Sequence, residues 1–144
     1  MEPRQQRARA LLERARRLRE VAQEQVAAAA DELAGLGAQR EETRLEADAL
    51  RHPGSDSTAA ARVRLAQYQQ ALRVREAELT RLAEHSAQRL ATERRSLRRA
   101  WREVEVWEKL AERLERAETR RQTNLEQEQI DQHARGRRRS GGWD

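Results

Sequence analysis

The chain has 144 residues and a formal net charge of +5, with 38% charged residues, 3% aromatics and neither Cys nor Phe. A compact core needs several large apolar side chains per layer, which this composition does not supply, and the lack of Cys excludes a disulfide scaffold, a thiolate metal site and a Cys nucleophile. With 6 Gly and 2 Pro it is equally unlike a disordered chain; Ala, Glu, Arg, Leu and Gln dominate, the mix of a coiled coil or long helix.

The first twenty residues are charged and hold no apolar run of the kind a signal peptide needs. No stretch approaches the ~20 apolar residues of a membrane span. The expectation is therefore a cytoplasmic protein without direct membrane insertion. One strong breaker interrupts the chain between Pro3 and Arg135: His52-Pro53-Gly54-Ser55-Asp56-Ser57. Proline removes a backbone donor, glycine permits positive φ, and Ser and Asp cap a following helix. This predicts an all-α fold: a helix over 3–51, a turn over 52–57, a second helix over 57–134, and a flexible basic tail over 136–144. Residues 1–135 form a single domain in this reading.

The first helix carries a seam at Ala8, Leu11, Ala15, Leu18, Ala22, Val26, Ala29, Leu33, Leu36, Arg40, Thr43, Ala47 and Leu50. Steps of three and four alternate, with one extra step of four between Ala22 and Val26, which reads as a heptad pattern with one stutter. Gly35 and Gly37 each weaken the helix by roughly 1 kcal/mol against Ala, so a soft spot or bend is expected there. In the second helix the seam runs through Ala61, Leu65, Tyr68, Leu72, Arg75, Leu79, Leu82, Ser86, Leu90, Glu93 and Leu97 to Trp101, Val104, Trp107, Ala111 and Leu114. A turn this short makes the helices antiparallel neighbours, and closing the two seams gives a long antiparallel two-helix coiled-coil hairpin.

The helices are unequal, roughly 70 Å against roughly 115 Å at 1.5 Å per residue. Folding about residue 54 pairs Leu50 with the region of Ala59 and Met1 with the region of Glu108. The C-terminal helix then overhangs from about Lys109 to Ala134, with Leu110, Ala111, Leu114, Ala117, Leu125 and Ile130 short of a partner. Residues 1–19 carry seven Arg and two Glu, and residues 135–144 carry four Arg and one Asp. The open end is thus positive, and an acidic or polar-lined partner is the physical expectation.

No enzyme constellation is present, and no cofactor is expected. His52, His85 and His133 are far apart and lack neighbours at ligand spacing. The carboxylates sit among arginines at helical spacing, as on a solvated face. Gly35-Leu36-Gly37 lacks the rest of any phosphate loop. The run of Arg135, Arg137, Arg138 and Arg139 is the best nucleic-acid signal, yet no stacking aromatics or groove-reading module accompanies it. No nucleic-acid partner is expected in the main reading; the alternative is a coiled-coil scaffold or nucleic-acid-binding protein that uses its basic ends. Trp101 and Trp107, six residues apart, lie about 120° apart around a helix. They cannot share one narrow seam, and at least one of them fits an interface anchor.

The stretch Ala100-Trp101-Arg102-Glu103 and, after Val104-Glu105-Val106, Trp107-Glu108-Lys109-Leu110-Ala111-Glu112-Arg113 resembles the C-terminal helix of the FliJ/YscO family, the stalk proteins of flagellar and injectisome type III export machines. Glu126-Gln127-Glu128-Gln129-Ile130-Asp131 with Ala134 resembles that family's closing segment, and Tyr68-Gln69-Gln70 a segment shortly after its turn. Two departures stand out: Asp131-Gln132 where the family has an acidic pair, and Ala71 where a bulky apolar residue is expected. The resemblance implies a stalk without catalytic activity that inserts its paired helix termini into a hexameric export ATPase. It would promote assembly of that ring, couple it to the cytoplasmic domain of an export-gate membrane protein, and handle export chaperones at the cytoplasmic face of the inner membrane. It implies Arg14, Arg17, Leu110, Arg113, Leu114, Leu125 and Ile130 at the ATPase ring, Tyr68 and Leu72 at the gate, and Trp101 and Trp107 as support of the shaft.

Overall fold

The computed structural model describes residues 3–51 and 58–141. Two long helices account for nearly all of them: α1 spans Pro3–Ala49 and α2 spans Ala59–Ser140, with no strand among the described residues. Pro3 opens α1, where its missing N–H is one that the helix would leave unpaired anyway. Thr58 caps α2: its Oγ1 accepts from the Ala61 N–H at 3.2 Å, and its carbonyl accepts the first helical bond from Arg62 at 3.0 Å. The turn expected over 52–57 lies outside the described residues. α1 runs through Gly35 and Gly37 without a break.

α2 does not stop at Ala134. It continues through Gly136 to Ser140, so the segment expected to be a flexible tail is helical as far as Ser140. A helical glycine costs only about 1 kcal/mol, and Arg137, Arg138 and Arg139 occupy the last turn, where the helix dipole favours cations. The Ser140 hydroxyl and the Gly141 N–H both donate to the Arg137 carbonyl, at 3.1 and 3.0 Å, which satisfies an acceptor that a helix end leaves open.

Contacts sort the chain into two units: Met1–Leu18 with Ala100–Asp144, and Arg19–Arg99. Within each unit α1 and α2 pack antiparallel. In the first, Gln5 Nε2 donates to the Leu114 carbonyl at 3.2 Å, and further along Arg16 pairs with Glu108. In the second, Gln69 Nε2 donates to the Leu50 carbonyl at 2.8 Å, and further along Arg89 pairs with Glu32 at 3.0 Å. In both glutamine contacts the two residue numbers sum to 119, so each unit obeys the same register.

Burial along α1 recurs at Gln5, Ala8, Leu12, Ala15, Arg19, Ala22, Val26, Ala29, Leu33 and Leu36, in unbroken steps of three and four. The expected stutter is therefore absent. Leu12 and Arg19 take the places expected for Leu11 and Leu18, and Leu18 is 50% exposed. Unbroken alternation from Ala22 into Val26, Ala29 and Leu33 requires Leu12 and Arg19 in the seam, and an arginine can lay its aliphatic stem along an apolar seam. α2 follows the same alternation from Leu65 through Gln69, Leu72, Glu76, Leu79, Ala83, Ser86, Leu90, Glu93 and Leu97 to Ala100, Val104, Trp107, Ala111 and Leu114. Tyr68, Arg75, Leu82 and Trp101, expected in the seam, are each displaced from it by one residue and are exposed.

Large and small side chains are matched at several layers of this register. The four alanines of α1 are nearly fully buried, and the register places Val104 opposite Ala15, Leu97 opposite Ala22 and Leu90 opposite Ala29. At these three layers a large side chain fills the space left by a small one, as close packing requires, while Ala8 faces Ala111. Leu50 meets Gln69 rather than Ala59 as a result, because Ala59–Arg64 offers little to bury. The partnered part of α2 correspondingly extends beyond Lys109: Ala111 is buried, the Leu114 carbonyl is bonded, and Glu115 pairs with Arg9. From Thr119 to Ser140 every residue is exposed.

Replacing Gly35 or Gly37 by Ala should stabilise the protein by about 1 kcal/mol each, because an added Cβ meets nothing within 4 Å. Urea midpoints of Gly35→Ala and Gly37→Ala should rise at unchanged slope; a lower midpoint would mean that the helix does not accept the extra carbon.

Candidate docking surfaces

Among the described residues no group of three or more His, Cys, Asp or Glu is placed to hold a metal ion. Several surface depressions lie along the flank of α2 alone, such as that lined by Glu126, Gln129, Ile130 and His133. No helix of the described residues is long and apolar enough to cross a membrane. The chemistry on offer is that of exposed helix faces, and each unit presents its own.

In the unit formed by Met1–Leu18 and Ala100–Asp144, a small core of Leu12, Ala15, Val104 and Ala111 has Trp107 packed against it. Trp107 is half-buried and Trp101 is 50% exposed, the angular divergence that a six-residue spacing demands. Two cross-helix ion pairs, Arg9–Glu115 at 2.5 Å and Arg16–Glu108 at 3.5 Å, line one edge. Their side chains are about half exposed, so each adds no more than about 1 kcal/mol; their role is to match the two helices' charge along that edge. Arg14, Leu110 and Arg113 share the opposite edge, and Arg17 is exposed on the outer face of α1. Leu114 is half-buried in the seam, so only part of it can meet a partner. Leu125 and Ile130 are 50% and 60% exposed, and five residues of helix place them about 140° apart, on different faces.

The unit formed by Arg19–Arg99 separates the two residues expected at its turn end. The Tyr68 hydroxyl donates to a Glu46 carboxylate oxygen, and its ring is 47% exposed. Leu72 is buried in the seam and is not on the surface that a partner would meet. Residue-type reasoning overlooked Gln5 and Gln69, whose side chains cross to backbone carbonyls. The available signal was a long amide at a seam position near each end of the apolar run, where it can reach a carbonyl that the facing helix leaves accessible. Comparison with family models, with curated proteins and with solved structures gave no match.

The Tyr68 phenol is raised above its ordinary value of 10.0, first by its hydrogen bond to Glu46 and then by the charge of that carboxylate. The contact is complete below pH 10 and is lost as pH rises through the raised value. Tyr68 is the only tyrosine, so an ultraviolet titration of the phenolate reads it directly. The midpoint should lie above 10 and fall back in Glu46→Gln; identical midpoints would remove the contact.

Proposed function

We propose that the chain is the central stalk of a type III protein export ATPase complex, an antiparallel two-helix coiled-coil hairpin that works by contact and not by catalysis. The observation that carries this reading is the helical, wholly exposed stretch of α2 from Thr119 to Ser140, which we take as an overhang beyond α1. A polar helix of about 22 residues without a packed face is marginal in water, so a partner that surrounds it would stabilise it. The seam phase continues into this stretch at Leu125 but is otherwise polar, at Arg121, Glu128 and Gln132. A polar-lined sheath fits that sequence better than another apolar helix does.

The resemblance of the Trp101–Arg113 segment and of Glu126–Asp131 to FliJ/YscO stalks supports a hexameric ATPase ring as the sheath. In this reading Arg14, Arg17, Leu110, Arg113, Leu125 and Ile130 meet the ring, while Leu114 supports the shaft from its seam beside Trp107. Tyr68 meets the cytoplasmic domain of the export gate, with Leu72 holding the helix beneath it. Export chaperones are a further class of partner, and the site of action is the cytoplasmic face of the export apparatus. A second reading, a basic-ended scaffold for nucleic acid, is favoured by one observation: Arg135, Arg137, Arg138 and Arg139 are all exposed on the last turns of α2. The two readings assign different work to those arginines and to the apolar residues before them.

The stalk reading predicts co-purification with the cognate export ATPase and stimulation of its hydrolysis. Leu125→Asp with Ile130→Asp should lower that stimulation about tenfold, the effect of losing roughly 1.4 kcal/mol of binding, whereas removal of 135–144 should leave it within about twofold. Neither co-purification nor stimulation by the intact chain would contradict the stalk; loss of function only on removing 135–144 would favour the scaffold.

A further inference from the structure

The unit formed by Met1–Leu18 and Ala100–Asp144 has two unlike edges. The edge that carries Arg9–Glu115 and Arg16–Glu108 also gathers Glu13, Glu105 and Glu112, each three residues from a member of those pairs and so on the same side of its helix. Carboxylates outnumber guanidinium groups there. The other edge inverts this. Arg4, Arg7 and Arg14 on α1 and Arg113 and Arg120 on α2 lie along it, with Glu103 the one carboxylate at the corresponding positions. All five arginines are exposed, and none is ion-paired or hydrogen-bonded to another described residue. Interleaved with them are Leu11, which is half-buried, and Leu18, Val106 and Leu110, which are 50%, 61% and 38% exposed.

We propose that this edge is a docking groove for an acidic amphipathic helix of a partner protein, laid between α1 and α2 as a third helix. The inference does not rest on the stalk reading; it uses only charge and apolar placement within this unit. Leucines spaced by seven on α1 and apolar residues spaced by four on α2 match the periodicity of a facing helix. From Arg4 to Leu18 the groove runs about 21 Å, room for a helix of about four turns. Leucine or isoleucine on that helix would cover Leu11, Leu18, Val106 and Leu110, and flanking Glu or Asp would pair with the arginines. The groove lies between two parallel rods, a concave shape that suits a third rod better than a flat bilayer. Nucleic acid would pair with the arginines but leave the leucines uncovered.

The probe is a fluorescent synthetic peptide of about three heptads, with leucine on one face and glutamate flanking it, titrated against the full chain by anisotropy. A twin with lysine in place of glutamate is the control. Saturable binding of the acidic peptide, and not of the basic one, is expected. Arg7→Glu with Arg14→Glu and Arg113→Glu should weaken it about tenfold or more, and Leu11→Ala with Leu110→Ala about fivefold. Glu105→Gln with Glu112→Gln, on the other edge, should leave it within about twofold. Circular dichroism confirms that each variant keeps its helices, and the leucine pair serves as the deciding variant if the charge reversals do not fold. Absence of saturable binding overturns the proposal. So does equal loss from variants of both edges, which would mean diffuse attraction, and so does binding to phosphatidylglycerol vesicles without binding to the peptide, which would mean a membrane surface.

Discussion

The remaining structure rests on how α1 packs against α2, with small α1 residues meeting large α2 residues at the Ala15, Ala22 and Ala29 layers. Alanine recurs every seven residues at Ala8, Ala15, Ala22 and Ala29, all nearly inaccessible to solvent. An alanine contributes little apolar area by itself, roughly one methyl group. Its effect is to let the facing helix bring Leu90, Leu97 or Val104 into the space that a larger residue would take. This complementarity holds at the Ala15, Ala22 and Ala29 layers, whereas Ala8 faces Ala111; voids and clashes are what cores tolerate poorly. Two glutamine contacts tie the helices together in this register. Gln5 and Gln69 each reach a backbone carbonyl on the other helix.

The seam also carries polar side chains, and these show why size and register carry the specificity. Ser86 is 3% exposed, with its hydroxyl buried and unbonded among the described residues. Glu76 and Glu93 are half-buried in the same row. A buried, unbonded hydroxyl costs on the order of 1–3 kcal/mol, so these layers weaken the unit they belong to. The matched layer of Ala29 and Leu90, and the fully buried Leu79, offset the polar ones. The same register determines which residues are left facing outward. It turns Trp101, Tyr68 and Leu82 out of the seam and exposes Leu18 and Leu110 beside arginines that pair with no other described residue. These exposed residues are the ones available for contacts with other proteins.

Much of the secondary structure was legible because the signals are local. Proline at position 3 suits a helix start, and the Pro53-Gly54 break requires separate helices on either side. A cap was readable from the Ser and Asp before the second helix, and Thr58 takes that role among the described residues. The phase of the seam was harder, because Leu11 and Leu12 are adjacent and identical in type. Only unbroken alternation onward through Ala22, Val26 and Leu33 shows that Leu12 belongs inside. Register was not legible from the turn, since it depends on matching side-chain volumes between residues far apart in sequence. The end of α2 was misjudged because Gly136 resembles a stop signal, while the arginines after it are good helix formers placed where the dipole favours them. For the candidate surfaces, the divergence of Trp101 and Trp107 follows from helical geometry alone. That Leu72 is buried while Leu110 is partly exposed could not be read from residue type.

The register itself can be measured directly, since the chain has no native cysteine. Ala8 and Ala111 are both buried on facing helices and occupy opposed positions in this register, the placement that a disulfide between them requires. Oxidation of Ala8→Cys with Ala111→Cys should close an intramolecular bond quickly and almost completely, while Ala8→Cys with Ala100→Cys should remain open. Preferential closure of the second pair would contradict the account, because the helices would then meet eleven residues out of register and a different set of side chains would face outward.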